Sequence, residues 1–217
     1  MAPLFALRGL EFAFNAQRPV LRGTDLDLHS GEVVGLTGSN GSGKTTLLHL
    51  MVGLLRPQAG TVEAFGRVRC TEEDFRPVRA RAGLLFQDPD DQLFCPTVAE
   101  DVAFGPLNLD RTHPEAEAIV DRTLGTLGLT AIKDRVTYHL SGGEKRLVSL
   151  AAVLAMEPEV LLLDEPSVSL DDAATGRLIE ALRKLQQAMV VISHDRRVLE
   201  ALATRYVRLE QGTLRTV

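Results

Sequence analysis

Eight consecutive residues constrain this chain more than any other feature of its sequence. Gly38, Ser39, Asn40, Gly41, Ser42, Gly43, Lys44 and Thr45 fit the pattern G-x-x-x-x-G-K-[ST] in full. A short β-branched run over 32–37 precedes them, and a helical stretch over 44–54 comes after. Strand, glycine loop and helix in that order make a phosphate cradle. The glycines let the backbone turn its N–H groups inward, and the helix aims the positive end of its dipole at the same point. Lys44 is expected to reach the β- and γ-phosphates and the Thr45 hydroxyl to hold Mg2+, with Thr46 beside the nucleotide. The pattern predicts a bound nucleoside triphosphate and leaves open which machine uses it.

The second constraint lies far along the chain. Leu161-Leu162-Leu163-Asp164-Glu165 is an apolar strand ending in two carboxylates. Ligands of open α/β sheets sit beyond the carboxyl ends of the strands, which places both acids beside the phosphates. Asp164 is expected to hold Mg2+ and Glu165 to take a proton from the attacking water. Strand-like runs at 4–14, 84–86, 160–163 and 189–192 are interspersed with helical patterns at 142–156, 172–186 and 196–203. Such alternation predicts an α/β fold with a mostly parallel central sheet. We read 1–217 as a single domain, with a nucleotide-binding core over 1–86 and 158–217. The helix-rich, strand-poor stretch of about 87–157 is expected to be an inserted helical lobe.

The strong helix opens on Leu140-Ser141-Gly142-Gly143-Glu144. Ser141 and Glu144 have the spacing of a capping box. Two adjacent glycines weaken a first helical turn, yet they leave its N–H groups open to a phosphate. At this point the chain resembles the ABC ATPases, whose signature is LSGGQ or a near variant. The resemblance covers essentially the whole chain, and the motifs come in the family's order. It implies antiparallel β elements at the N-terminus, ahead of the parallel sheet. It implies that Phe14 stacks on adenine and that Gln87 senses Mg2+ and the lytic water. It also implies that Asp171, in Ser169-Leu170-Asp171, belongs to the D-loop, and that His194 contacts the γ-phosphate. A head-to-tail pair of ATPase subunits, identical or different, is implied too. Each ATP would lie between the cradle of one copy and Ser141, Gly142, Gly143, Glu144 and Asp171 of the other. The departures are Val168 where a small residue is usual, Glu144 for Gln, and Phe14 for Tyr.

The stretch Gln87-Asp88-Pro89-Asp90-Asp91-Gln92-Leu93-Phe94, with Leu154-Ala155-Met156-Glu157-Pro158, resembles energy-coupling-factor importers of the cobalt and nickel type. The acids Asp88, Asp90 and Asp91 suit arginines on a docking membrane subunit. The N-terminus lacks the marks of a secretion signal, and no apolar run approaches the roughly 18 residues of a membrane span. The expected location is therefore peripheral, at the cytoplasmic face of a membrane, docked on integral membrane subunits. A formal net charge of -5 argues against a nucleic-acid partner. The two cysteines form no disulfide framework, and His29, His49, His113 and His139 are scattered without ligand spacing. Two further expectations complete the reading. The C-terminal pairing segment of many relatives is expected to be absent, and another ABC importer or exporter subunit is the alternative. A soluble ABC protein of DNA repair or translation is more remote, because the sequence has neither a coiled-coil insertion nor a second ATPase domain. A GTPase would need a guanine-reading Asn-Lys-x-Asp, which does not occur.

Overall fold

A computed structural model describes residues 2–15 and 19–217. The first part of the chain runs β1 (Phe5–Ala13), β2 (Pro19–Leu28), β3 (Val33–Thr37), α1 (Lys44–Met51), β4 (Ala59–Ala64), β5 (Arg67–Arg69), α2 (Glu72–Arg81) and β6 (Ala82–Leu85). The middle is helical, with α3 (Val98–Asn108), α4 (His113–Leu127) and α5 (Gly142–Ala155). The last part alternates again, through β7 (Val160–Asp164), α6 (Asp172–Arg183), β8 (Ala188–Ile192), α7 (Arg196–Leu202), β9 (Arg205–Glu210) and β10 (Thr213–Thr216).

Two sheets result. An antiparallel sheet has the order β2-β1-β4-β5, and a six-stranded sheet has the order β10-β9-β3-β8-β7-β6. The second is parallel from β9 to β6, with β10 antiparallel at one edge. The expected α/β architecture, parallel sheet and N-terminal antiparallel elements are all present.

The central strands show why the apolar runs are continuous. On β7, Val160 and Leu162 face the core shared with the antiparallel sheet, while Leu161 and Leu163 face the core under α5 and α6. On β8, Val190 and Ile192 take the first side and Met189 and Val191 the second. A strand covered on both faces has no polar face to alternate with.

In-register parallel pairing then delivers the loops to one edge. Leu85 lies opposite Leu163, and Asp164 lies opposite Ile192. Strands β3, β6, β7 and β8 therefore end together, and the loops leaving them meet at that edge. The helix expected over 44–54 stops at Met51. The Leu54 N–H bonds to the His49 carbonyl at 2.9 Å and the Gly53 N–H to the Leu50 carbonyl at 3.2 Å, the paired closure that ends many helices.

Candidate functional site

The edge holds a cleft of about 480 Å³ lined by parts of all four loops. From the glycine loop come Asn40, Gly41 and Gly43, with Lys44, Thr45 and Thr46 of α1 next to them. Gly43 caps α1 at φ 106°, and a Cβ there would come within 2.5 Å of Val20 Cγ1, so the tight turn excludes any side chain. Gly38, Ser39 and Ser42 do not line this cleft; Ser39 and Ser42 face a neighbouring hollow beside Arg22 and Gln211. The Lys44 ammonium donates to the carbonyls of Gly38 at 2.9 Å and Ser39 at 3.0 Å, which holds it across the loop mouth. Burial lowers its pKa, and the charges of Glu165 and Asp164 oppose that shift.

Thr45 Oγ1 donates to Asp164 Oδ2 at 2.6 Å, joining the cradle to the end of β7. Asp164 is 3 % exposed. A hydroxyl and a carboxylate oxygen converging at that distance are hard donors. They fit Mg2+, which takes one or two protein oxygens and completes its shell with phosphates and water. Gln87 lines the same cleft. Among the described residues no group of three or more His, Cys, Asp and Glu side chains could cage a metal ion.

Glu165 is buried, with its backbone in the left-handed region at φ 52°. Its Oε2 accepts the backbone N–H of His194 at 3.1 Å, and its Oε1 lies 3.4 Å from His194 Nε2. The register of β7 and β8 accounts for this meeting, since both residues lie just past a paired strand end. The His194 ring remains open to solvent at the cleft, and Phe14 also lines it, 61 % exposed and edge-on to Phe12. An aromatic left that exposed beside a phosphate loop is free to stack on a flat base. Val20, Val168 and Ile192 complete the lining. The sequence assigns none of these three to the pocket wall, although Val168 stands out in it as a departure.

The LSGGE segment is not in this cleft. Residues 141–144 line a second cleft of about 660 Å³ with Ser169, Leu170 and Asp171. The capping box is present: Ser141 Oγ and its backbone N–H each bond Glu144 Oε2 at 2.8 Å. Those bonds hold the Glu144 carboxyl below the usual range, and Arg135, at 2.7 Å from Glu144 Oε1, adds to the effect. Gly143 sits so close to the D-loop that a Cβ would be 2.9 Å from the Ser169 carbonyl oxygen.

The three acids expected to face a partner are all exposed, but two of them are also used within the chain. Asp88 Oδ1 accepts the Asp90 N–H at 2.9 Å, and Asp90 Oδ1 pairs with Lys145 Nζ at 2.5 Å. Beside them runs an apolar groove of about 230 Å³ that includes Leu54, Phe86, Phe94, Phe104 and Met156. Phe94 and Phe104 meet edge to face at 4.7 Å and are 65 % and 46 % exposed. Sequence reading missed this groove, because aromatic spacing alone does not show which rings stay uncovered. It also missed Arg146, whose signal was a cation in step with the apolar stripe Leu150 and Val153 of α5.

Comparison with known proteins agrees with this geometry. The sequence profile described as ABC transporter matches residues 21–168. An ABC transporter ATP-binding protein of Brucella suis biovar 1 is 51% identical over 215 residues, 99% of this chain and 89% of that protein. The cobalt import ATP-binding protein CbiO of Rhodobacter capsulatus is 43% identical, over 98% of this chain and 77% of that protein. Among solved structures, cbiO1 from Clostridium perfringens superposes with a TM-score of 0.86 at 30% identity, over 99% of this chain and 88% of that one. With its triphosphate cradle, its acidic strand end and its separate LSGGE face, the chain belongs to the ABC transporter family and is one of its ATP-binding, ATP-hydrolysing cassettes.

Proposed function

We propose that the chain powers an importer of the energy-coupling-factor type, with Co2+ or Ni2+ as cargo, from the cytoplasmic face of a membrane. Support for the subtype comes from the likeness to a cobalt import ATP-binding protein and to cbiO1, which is part of the transporter complex cbiONQ. A subunit of another ABC importer or exporter is the alternative, favoured by the Brucella relative, whose name specifies no solute.

In this reading Phe14 stacks on adenine, and the glycine loop and Lys44 grip the phosphates. Thr45, Gln87 and Asp164 would hold Mg2+, which would supply positive charge against the phosphates. Glu165 accepts the proton of the attacking water, and His194 stands at the γ-phosphate, linked to Glu165 through its own backbone N–H.

The observation that carries the assembly is that one chain presents two separate incomplete clefts, the cradle and the LSGGE face. A second copy or a related ATPase, turned head to tail, completes both. ATP then bridges the pair, and hydrolysis removes a shared contact, so the closed state is favoured only while the triphosphate is intact. Replacing Ser141 and Gly143 together by alanine tests this. Steady-state ATPase assays should show turnover falling about a hundredfold, while nucleotide titration shows binding to the cradle little changed. Undiminished turnover would show that no second copy completes the site.

No helix among the described residues is long and apolar enough to cross a membrane, so coupling to transport needs a docked partner. The apolar groove and the acids at 88–91 support docking of a membrane subunit that offers apolar and basic residues. Asp91 and Phe94 are the side chains to test, because Asp90 already pairs with Lys145. Asp91→Arg combined with Phe94→Ala should weaken the complex by about 2 kcal/mol, roughly 30-fold, read as loss of the membrane chain co-purifying from detergent extract. Basal hydrolysis should stay within about twofold, because neither residue lines the nucleotide cleft. Unchanged co-purification would remove the groove from the docking surface.

A further inference from the structure

We propose that Arg146 is a positioning residue for hydrolysis, whose single guanidinium fixes the backbone of Gln87 and Glu165 relative to the helix carrying the LSGGE tip. The inference rests on the roles given above to Gln87 and Glu165.

Arg146 lies in the second turn of α5, on the buried stripe with Leu150 and Val153, and is 1 % exposed. Among the described residues no carboxylate pairs with it. Its contacts are to four main-chain carbonyls: Nη1 donates to Phe86 at 2.5 Å and Gln87 at 3.1 Å, and Nη2 donates to Glu165 at 2.6 Å and to Asp164. Burial pulls the guanidinium down to about 10, against the charges of Asp164, Glu165 and Asp88.

The place of these bonds in the sheet gives them meaning. The β6–β7 ladder ends at the pair Leu85 and Leu163. Phe86 and Gln87 continue one strand and Asp164 and Glu165 the other, beyond the last rung. The planar fork of Arg146 spans that gap and stands in for the missing rungs, two carbonyls to each arm.

Glu165 also holds a left-handed backbone at φ 52°, which persists only where its surroundings force it. Its N–H bonds to the Ile192 carbonyl at 2.9 Å, and its own carbonyl receives Val168 N–H at 3.2 Å together with Arg146. Removing the guanidinium would leave that conformation held by two neutral bonds.

The guanidinium has a structural part as well as a positioning one, since it is a donor to carbonyls on two strands at once. Methionine or leucine would fill the stripe without burying a charge, but would leave the buried carbonyls of Asp164 and Glu165 without this donor. Arg146 also leaves its Nε buried and without a partner among the described residues. The fork ties the first turns of α5 to both loops of its own nucleotide cleft. A partner's ATP pressing on residues 141–144 would thereby shift Gln87 and Glu165 in this chain's cleft.

The test uses the full chain carrying Arg146→Met and, separately, Arg146→Lys, with Glu165→Gln as reference. For each, kcat and KM are measured with MgATP, ATP affinity by equilibrium titration, and the thermal midpoint by calorimetry. Arg146→Met should lower the midpoint by several degrees, because it strips a donor from buried carbonyls, yet, assayed below that midpoint, keep its ATP affinity within about threefold while kcat falls about 10- to 100-fold. Arg146→Lys should show a similar loss of kcat, since one ammonium cannot span two pairs of carbonyls. If the methionine variant does not fold, the lysine variant decides by the same readouts. A folded variant with kcat within twofold of the parent overturns the proposal. So does a loss of kcat that only tracks a fall in the midpoint and in affinity. Normal turnover by Glu165→Gln would instead overturn the assignment of the base, which distinguishes the two failures.

Discussion

Lys44→Ala should bind ATP at least about a hundredfold more weakly, a loss of about 3 kcal/mol, and turnover at cellular ATP should fall below detection. Lys44 supplies the one ammonium among the described residues of the cleft, held across the loop mouth by the carbonyls of Gly38 and Ser39. Removing it withdraws charge-assisted bonds to two phosphates, and neither Thr45 nor Thr46 can replace a positive charge. The fold should be little disturbed. Position 44 opens α1, where alanine is a good helix former, and the two freed carbonyls can turn to water. Nucleotide titration and a phosphate-release assay check the result, with a thermal midpoint to confirm folding. Turnover at the parental rate would refute the role given to Lys44.

Glu165→Gln should separate binding from chemistry. Glutamine keeps the shape and can still accept the His194 N–H that Glu165 Oε2 now accepts at 3.1 Å. The left-handed backbone, the Ile192 contact and the Arg146 contact remain available to it. Only the proton acceptor is gone, so hydrolysis should fall about 10²- to 10⁴-fold, the range for a general base. ATP should still bind, and because it is no longer consumed, the closed pair should accumulate. Size-exclusion chromatography with light scattering should show an ATP-dependent dimer that the parent protein does not hold. Ordinary turnover would place the base elsewhere.

What was legible in the sequence was local. The cradle, the acidic strand end and the LSGGE cap each occupy a few adjacent residues, and each dictates its own backbone. The two central strands were legible because burial on both faces leaves an unbroken apolar run. The antiparallel sheet was read only as a class. Pairing of β1 with β2 shifts register between Leu7 and Leu10 and again near Phe12, so its apolar residues do not alternate cleanly. Helix α2 was missed although Thr71 and Asp74 form a capping box, because Pro77 sits in its middle. Contacts between distant segments were out of reach. Nothing near Asp90 announces Lys145, 55 residues later, and nothing near Gln87 announces Arg146.

The strand that feeds the phosphate cradle has both of its neighbours far downstream. β3 lies between β8 and β9, and Thr37 Oγ1 donates to the Val207 carbonyl across 170 residues of chain. The carbonyl of Leu209 on β9 lies 2.6 Å from where a Cβ on Gly38 would sit, so β9 forms one wall of the glycine loop. A chain emerging from the ribosome makes its cradle early and the wall behind it late. Such long-range pairing is slow to close. Competence to grip a triphosphate therefore waits until β9 has been made, and a nascent chain stalled before β9 would carry the motif without the ability to use it.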